Sequence, residues 1–99
     1  MLRISIQDGT DAVTLKLEGR VAGPLADELD KVWHALATGL TTKKLHVDLR
    51  GVTDADAGGR QILADIHHET GADFLADTPL AKYLAQEACR RNHSGKREA

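Results

Sequence analysis

Three aspartates, Asp48, Asp54 and Asp56, stand close together, with His46 just before them and the Thr53 hydroxyl among them. Carboxylates grouped this way can move protons, hold a hard divalent cation, or cap a helix. The first two uses need company, and no nucleophile, base or further ligand follows at a recognisable spacing. Asp56 is followed by Ala57, Gly58 and Gly59, and then by Ile62, Leu63 and Ile66 at helical spacing. That pattern predicts a helix with Asp56 as its N-cap, and Asp54 as a solvated turn residue. Ala57, Gly58 and Gly59 place backbone N–H groups at the helix start, a setting that can receive an anion. The Lys-Ser/Thr ending of a phosphate loop is absent, so small residues here point to a close approach by a packing neighbour or a partner.

His67, His68, Glu69 and Asp65 raise the question of a metal. Adjacent helical residues diverge by about 100°, so the two histidines do not share one ion easily. His46 and Asp48 fall on one face of a strand, with nothing to complete a ligand set. No metal and no cofactor is expected. Cys89 is the only cysteine, which excludes an intrachain disulfide. It follows the stripe of the last helix, and is expected to be a half-buried, passive thiol. The basic cluster from Arg90 to Arg97 reads as a solubilising end.

The elements that must hold these residues follow from hydrophobic periodicity. Leu2, Ile4 and Ile6 alternate with Arg3, Ser5 and Gln7, and Val13, Leu15 and Leu17 with Thr14, Lys16 and Glu18. Two strands joined by Asp8-Gly9-Thr10-Asp11 make an antiparallel hairpin. Gly19 to Gly23 breaks the alternation, and Pro24 suits the first turn of a helix. Leu25, Leu29, Val32, Trp33 and Leu36 then form an amphipathic stripe, which Gly39 ends. Thr41 to Lys44 link to a central strand with Leu45, Val47 and Leu49 on one face, and a tight turn is expected before the Asp56 cap. Gly71 stops the second helix, and a short strand is expected within Ala72 to Asp77. Thr78-Pro79 opens a last helix with an apolar stripe of Leu80, Tyr83, Leu84 and Ala88.

This order, β-β-α-β-α-β-α, predicts an α/β fold: one mixed sheet of about four strands with helices packed on it. Residues 1–89 form the domain, and 90–99 read as a polar, disordered tail. At 99 residues the chain suffices for one modest core. A net charge of −2 gives no footprint for nucleic acid or an anionic membrane. No apolar run approaches the roughly 20 residues of a membrane span, and a cytoplasmic location is expected.

The Leu-rich hairpin, Leu17-Glu18-Gly19-Arg20, the helix, and then Val47-Asp48-Leu49-Arg50-Gly51-Val52 together resemble a STAS domain, the anti-sigma-factor-antagonist-like family. The resemblance runs from about Leu2 to Glu87. The family pattern at the helix start is an aspartate, two serines, a glycine and a Leu-rich helix; here it is Asp56, Ala57, Gly58 and Gly59, then Ile62 and Leu63. Gly58 stands at the serine that is phosphorylated in regulatory members, and Ala57 at the other serine. Arg60 replaces the usual Leu, and Asp54 and Ala55 occupy places usually apolar. Thr53 is the nearest remaining hydroxyl before the helix.

The resemblance implies a non-catalytic regulatory module whose partner-facing surface comprises Thr53, Asp54, Asp56, Ala57, Gly58, Gly59 and Arg60 with the following helix. In the regulatory members this surface docks on an anti-sigma factor that is also a serine kinase, and phosphorylation breaks the complex. Lacking both hydroxyls, this chain is expected not to be switched that way. The family also includes accessory subunits of lipid-transport ABC systems, which contact the ATPase. A small-ligand or anion-binding domain using His46, Asp48, Asp54 and Asp56 is a further alternative, which requires a pocket joining those side chains.

Overall fold

The computed structural model describes residues 2–39 and 43–91. Its elements are β1 (Leu2–Asp8), β2 (Ala12–Val21), α1 (Pro24–Gly39), β3 (Lys44–Ala55), α2 (Ala57–Thr70), β4 (Asp73–Leu75) and α3 (Pro79–Arg90). The expected order and the single mixed sheet are both present. Strands lie in sequence order, β1-β2-β3-β4. β1 is antiparallel to β2, and the other two pairings are parallel. Each parallel step needs a crossover, which α1 and α2 supply.

One apolar cluster fills the space between sheet and helices. β2 contributes Val13, Leu15 and Leu17, and β3 contributes Leu45, Val47 and Leu49. Ala26, Leu29 and Trp33 come from α1, Leu63, Ala64 and Ile66 from α2, and Ala81, Leu84 and Ala88 from α3. Fully covered side chains such as Leu15 and Leu49 stabilise the fold by about 1.5–3 kcal/mol each. The indole N–H of Trp33 is satisfied by Asp30 Oδ1 at 3.0 Å. The opposite sheet face carries Thr14, Lys16, Glu18, His46 and Asp48.

Two strands run further than their alternation suggests. β2 continues through Gly19 and Arg20 to Val21, and β3 passes Arg50 and Gly51 to reach Ala55, replacing the expected tight turn. Their ladder slips twice: Lys16 pairs with Asp48 but Glu18 with Gly51, and Gly19 pairs with Val52 but Arg20 with Asp54. Each slip sets an extra β3 residue against β2, which is a β-bulge. The inward set therefore passes from Leu45, Val47 and Leu49 to Val52 and Ala55, and period two is lost.

Helix ends follow the local chemistry. Gly71 takes φ 71° and donates to His67 O at 2.8 Å, closing α2. Thr78 accepts from Ala81 N at 3.0 Å, with Pro79 in the first turn of α3. The strand expected within Ala72 to Asp77 is shorter, Asp73–Leu75. In α3 the stripe is corrected: Tyr83 is 50% exposed, and Ala81 is fully buried. Cys89 is exposed, not half-buried. Arg90 closes α3, and Arg91 N–H bonds Glu87 O at 2.8 Å, so order extends into the polar ending. The disorder expected of that ending otherwise concerns 92–99, outside the described residues.

Candidate partner-binding site

β2 and β3 are parallel and finish together, with Val21 paired to Ala55. α1 and α2 both start from this end, the carboxyl ends of the strands, where open α/β sheets place their sites. Asp56 joins the two starts. Its N–H donates to Val21 O at 3.2 Å. Its Oδ1 accepts from Gly59 N at 2.7 Å, which is the expected N-cap, and Oδ2 accepts from Gly23 N at 3.0 Å. One side chain thus caps α2 and pins the turn before α1. The Gly59 amide first, then the Gly23 amide, hold the Asp56 carboxyl below the usual carboxylate range, aided by Arg20 and Arg60.

Gly59 is buried, and a Cβ there would overlap Val21 O outright and come within 2.9 Å of Val21 C. The first turn of α2 rests directly on the end of β2, and only glycine permits it. Gly58 is different. It is exposed, and a Cβ there would meet only Asp56 Oδ1, at 3.6 Å. Ala57 is also exposed. The two residues that face solvent are therefore flanked by two that hold the backbone in place.

The other predicted residues divide. Thr53 and Asp54 are exposed on the last part of β3, and not in a loop. Asp54 Oδ2 is 3.7 Å from Arg20 Nε, a solvated pair that adds little stability. Arg60 turns toward α3, with its Nε 3.4 Å from Glu87 Oε1. Glu87 Oε2 also meets Arg91 Nη1 at 3.6 Å, and Arg91 Nε donates to Gln61 Oε1 at 2.9 Å. Glu87 thus binds two arginines in the seam between α2 and α3. Its place beside the apolar stripe of α3 was the signal, but the sequence does not say which cation meets it.

His46 and Asp48 are not part of this end. Asp48 is buried and receives Arg50 N, Nε and Nη2, each at 3.0 Å. The Arg50 side-chain bonds are the main cause that holds the Asp48 carboxyl below its ordinary range. His46 lies in register with Thr14 and Asp73. A hollow of about 360 Å³ does adjoin Asp56, but Arg20, Ala22, Gly23 and Leu25 line the rest of it. It does not join the four residues that a ligand or catalytic site would require. His67 Nδ1 meets Ala72 O at 2.9 Å, while His68 Nε2 meets Arg91 O at 2.6 Å, so the two rings serve separate contacts. Among the described residues no group of three or more His, Cys, Asp or Glu is placed to hold a metal ion. No helix there is long and apolar enough to cross a membrane.

No family model matches the sequence, and no curated protein matches it. Solved structures do resemble it. An anti-sigma factor antagonist from Mycobacterium paratuberculosis superposes with a TM-score of 0.73 at 21% identity, over 84% of this chain and 74% of that one. The anti-sigma factor antagonist SpoIIAA in its unphosphorylated form gives 0.66 at 15% identity, over 85% and 82%. The fold is STAS-like. The STAS-like fold also matches part of a larger protein, Mglu, with a TM-score of 0.61 at 22% identity; the match covers 76% of this chain and 19% of that one. At these identities the likeness is one of fold: a four-stranded mixed sheet with three helices. Within it, the start of α2 is the segment that the sequence resemblance singles out.

Proposed function

We propose that this STAS-like domain is a non-catalytic regulatory module that docks a protein partner through the start of α2, without a serine phospho-switch. One observation carries the reading: Ala57 and Gly58 are exposed at the helix start, where the resemblance places the two serines, and neither has a hydroxyl. Ala57 and Gly58 make the contact patch together with Thr53 and Asp54. Asp56 and Gly59 fix its shape, and Arg60 anchors the patch to α3. The partner is an anti-sigma factor of the serine-kinase type, met in the cytoplasm. A phosphoserine would bring about −1.5 to −2 charges to such a patch, enough to break a tight interface through repulsion and desolvation. Without an acceptor the complex persists whatever the kinase does.

The test uses two substitutions at Gly58, which has room for a side chain. Gly58→Asp places a charge in the patch and is expected to abolish capture of the kinase-type partner that wild type retains. Gly58→Ser is expected to bind as wild type does, and to accept phosphate from that kinase while wild type does not. A folded Gly58→Asp variant that binds normally would place the interface elsewhere. Phosphate on Thr53 of the wild type would overturn the missing switch, and capture of an ABC ATPase instead would replace the partner.

A further inference from the structure

The docking patch at the start of α2 carries no large side chain of its own. Binding energy at protein interfaces concentrates in a few residues, above all Trp, Tyr and Arg, ringed by smaller contacts that exclude water. Thr53, Asp54, Ala57 and Gly58 are of the smaller kind. The arginines nearby are already engaged, Arg20 with Asp54 and Arg60 with Glu87.

Three large apolar side chains are exposed among the described residues: Ile6, Leu75 and Tyr83. Ile6 belongs to β1, at the sheet edge opposite β4, whereas α3 packs on β3 and β4. Leu75 is in register with Asp48, so its side chain lies on the sheet face away from the helices. Tyr83 is left, and one contact fixes its place. α2 and α3 leave the same ends of the parallel strands β3 and β4 and run back side by side. Arg60 meets Glu87 across their seam, Nε to Oε1 at 3.4 Å. One turn nearer the start of each helix, Ala57 precedes Arg60 and Tyr83 precedes Glu87 on the same sides. Tyr83 therefore stands beside Ala57.

The seam is divided in its chemistry. Away from the helix starts it is closed by charge, with Glu87 between Arg60 and Arg91, and Arg91 bonded to Gln61. Toward the starts it is apolar: Ala57 is exposed, Leu80 is half-buried, and Tyr83 is 50% exposed. No hydrogen bond or ring contact to a described residue holds Tyr83. A lone exposed ring is ordinary on a protein surface. This one borders the patch that lacks a large side chain.

We infer that Tyr83 is the aromatic anchor of the docking surface, and that the partner receives its ring in an apolar socket beside Ala57 and Gly58. The inference rests on docking at the start of α2 and brings a second helix into the contact. Tyrosine suits the task, because it orders a large contact area by fixing only two side-chain torsions. Its hydroxyl stays available to the polar rim of the socket.

Titration calorimetry with the purified kinase-type partner tests it on wild type, Tyr83→Ala, Leu75→Ala and Gly58→Asp. The Tyr83 ring is half exposed, so its loss leaves the core in place, and circular dichroism checks that each variant is folded. Tyr83→Ala is expected to bind at least about tenfold more weakly. Leu75→Ala should bind as wild type does, and Gly58→Asp should not bind. Wild-type affinity in Tyr83→Ala, with Gly58→Asp inactive, would overturn the anchor and leave docking at α2 standing. Equal losses in Tyr83→Ala and Leu75→Ala would also overturn it, since the effect would not belong to one place. Normal binding by Gly58→Asp would remove the docking reading, and the anchor with it.

Discussion

Replacing Gly59 by alanine should separate two roles that adjacent glycines play at the start of α2. The added methyl would overlap Val21 O and lie 2.9 Å from Val21 C and 3.0 Å from Val21 Cγ1. Two of these atoms are backbone, held in the ladder where Val21 pairs with Ala55, so a rotamer change does not relieve the contact. The first turn of α2 must move instead, stretching the Asp56 N to Val21 O bond and the Gly59 N to Asp56 Oδ1 cap. Overpacking costs about 1–3 kcal/mol, and a backbone clash belongs at the upper end of that range. Alanine regains at most about 1 kcal/mol of helix propensity. For a domain of this size each kcal/mol moves Tm by about 4–8 °C, so Gly59→Ala should melt about 10 °C lower. Gly58→Ala makes only an ordinary contact, with Asp56 Oδ1 at 3.6 Å, and should be neutral, or more stable by up to about 1 kcal/mol. Paired urea and thermal unfolding by circular dichroism would measure both. A Gly59→Ala variant as stable as wild type would refute the close approach of α2 to β2.

Two further expectations follow from single contacts. Thr78→Ala removes the acceptor for Ala81 N and should cost about 1 kcal/mol in urea unfolding, the usual worth of such a cap. The lowered pKa of Asp48 gives stability that is fully present above the unfolded carboxylate value, about 3.9, and is lost as pH falls through the folded value. Asp48→Asn should therefore be destabilised near neutrality, with a gap to wild type that starts to narrow only below about pH 4 in acid unfolding curves and closes once pH is below the folded value. A gap between the two that stays constant with pH would argue against the Asp48–Arg50 pair.

Local chemistry made much of this fold legible in the sequence. Alternation in Val13, Leu15 and Leu17 marked a strand with one buried face, because successive side chains of a strand must point to opposite sides. Asp56, Gly71, Thr78 and Pro79 marked helix ends, because unpaired backbone groups there demand specific side chains or a left-handed residue. That Ala57 and Gly58 carry no hydroxyl was plain from residue identity alone. Tyr83 shows where such reasoning stops. Its spacing fits the apolar stripe of α3, but Ala81 takes the buried place, and only the neighbouring sheet and α2 decide how far the helix is rotated.

The element order, the caps and the absence of a hydroxyl at Ala57 and Gly58 all depend on residues near one another in the chain, and could be read from it. Tertiary structure decided the rest of the site. It carried β3 through two bulges to Ala55, since the register with β2 is a property of the pair. It gave Asp56 a second task at Gly23, 33 residues away, which no local pattern encodes. It separated Asp48 from Asp56, and it drew Arg60 to Glu87, because charges distant in sequence meet only once α2 and α3 have packed. Gly59 needed both: its lack of a side chain can be read in the sequence, but the carbonyl of Val21 that requires it belongs to another strand.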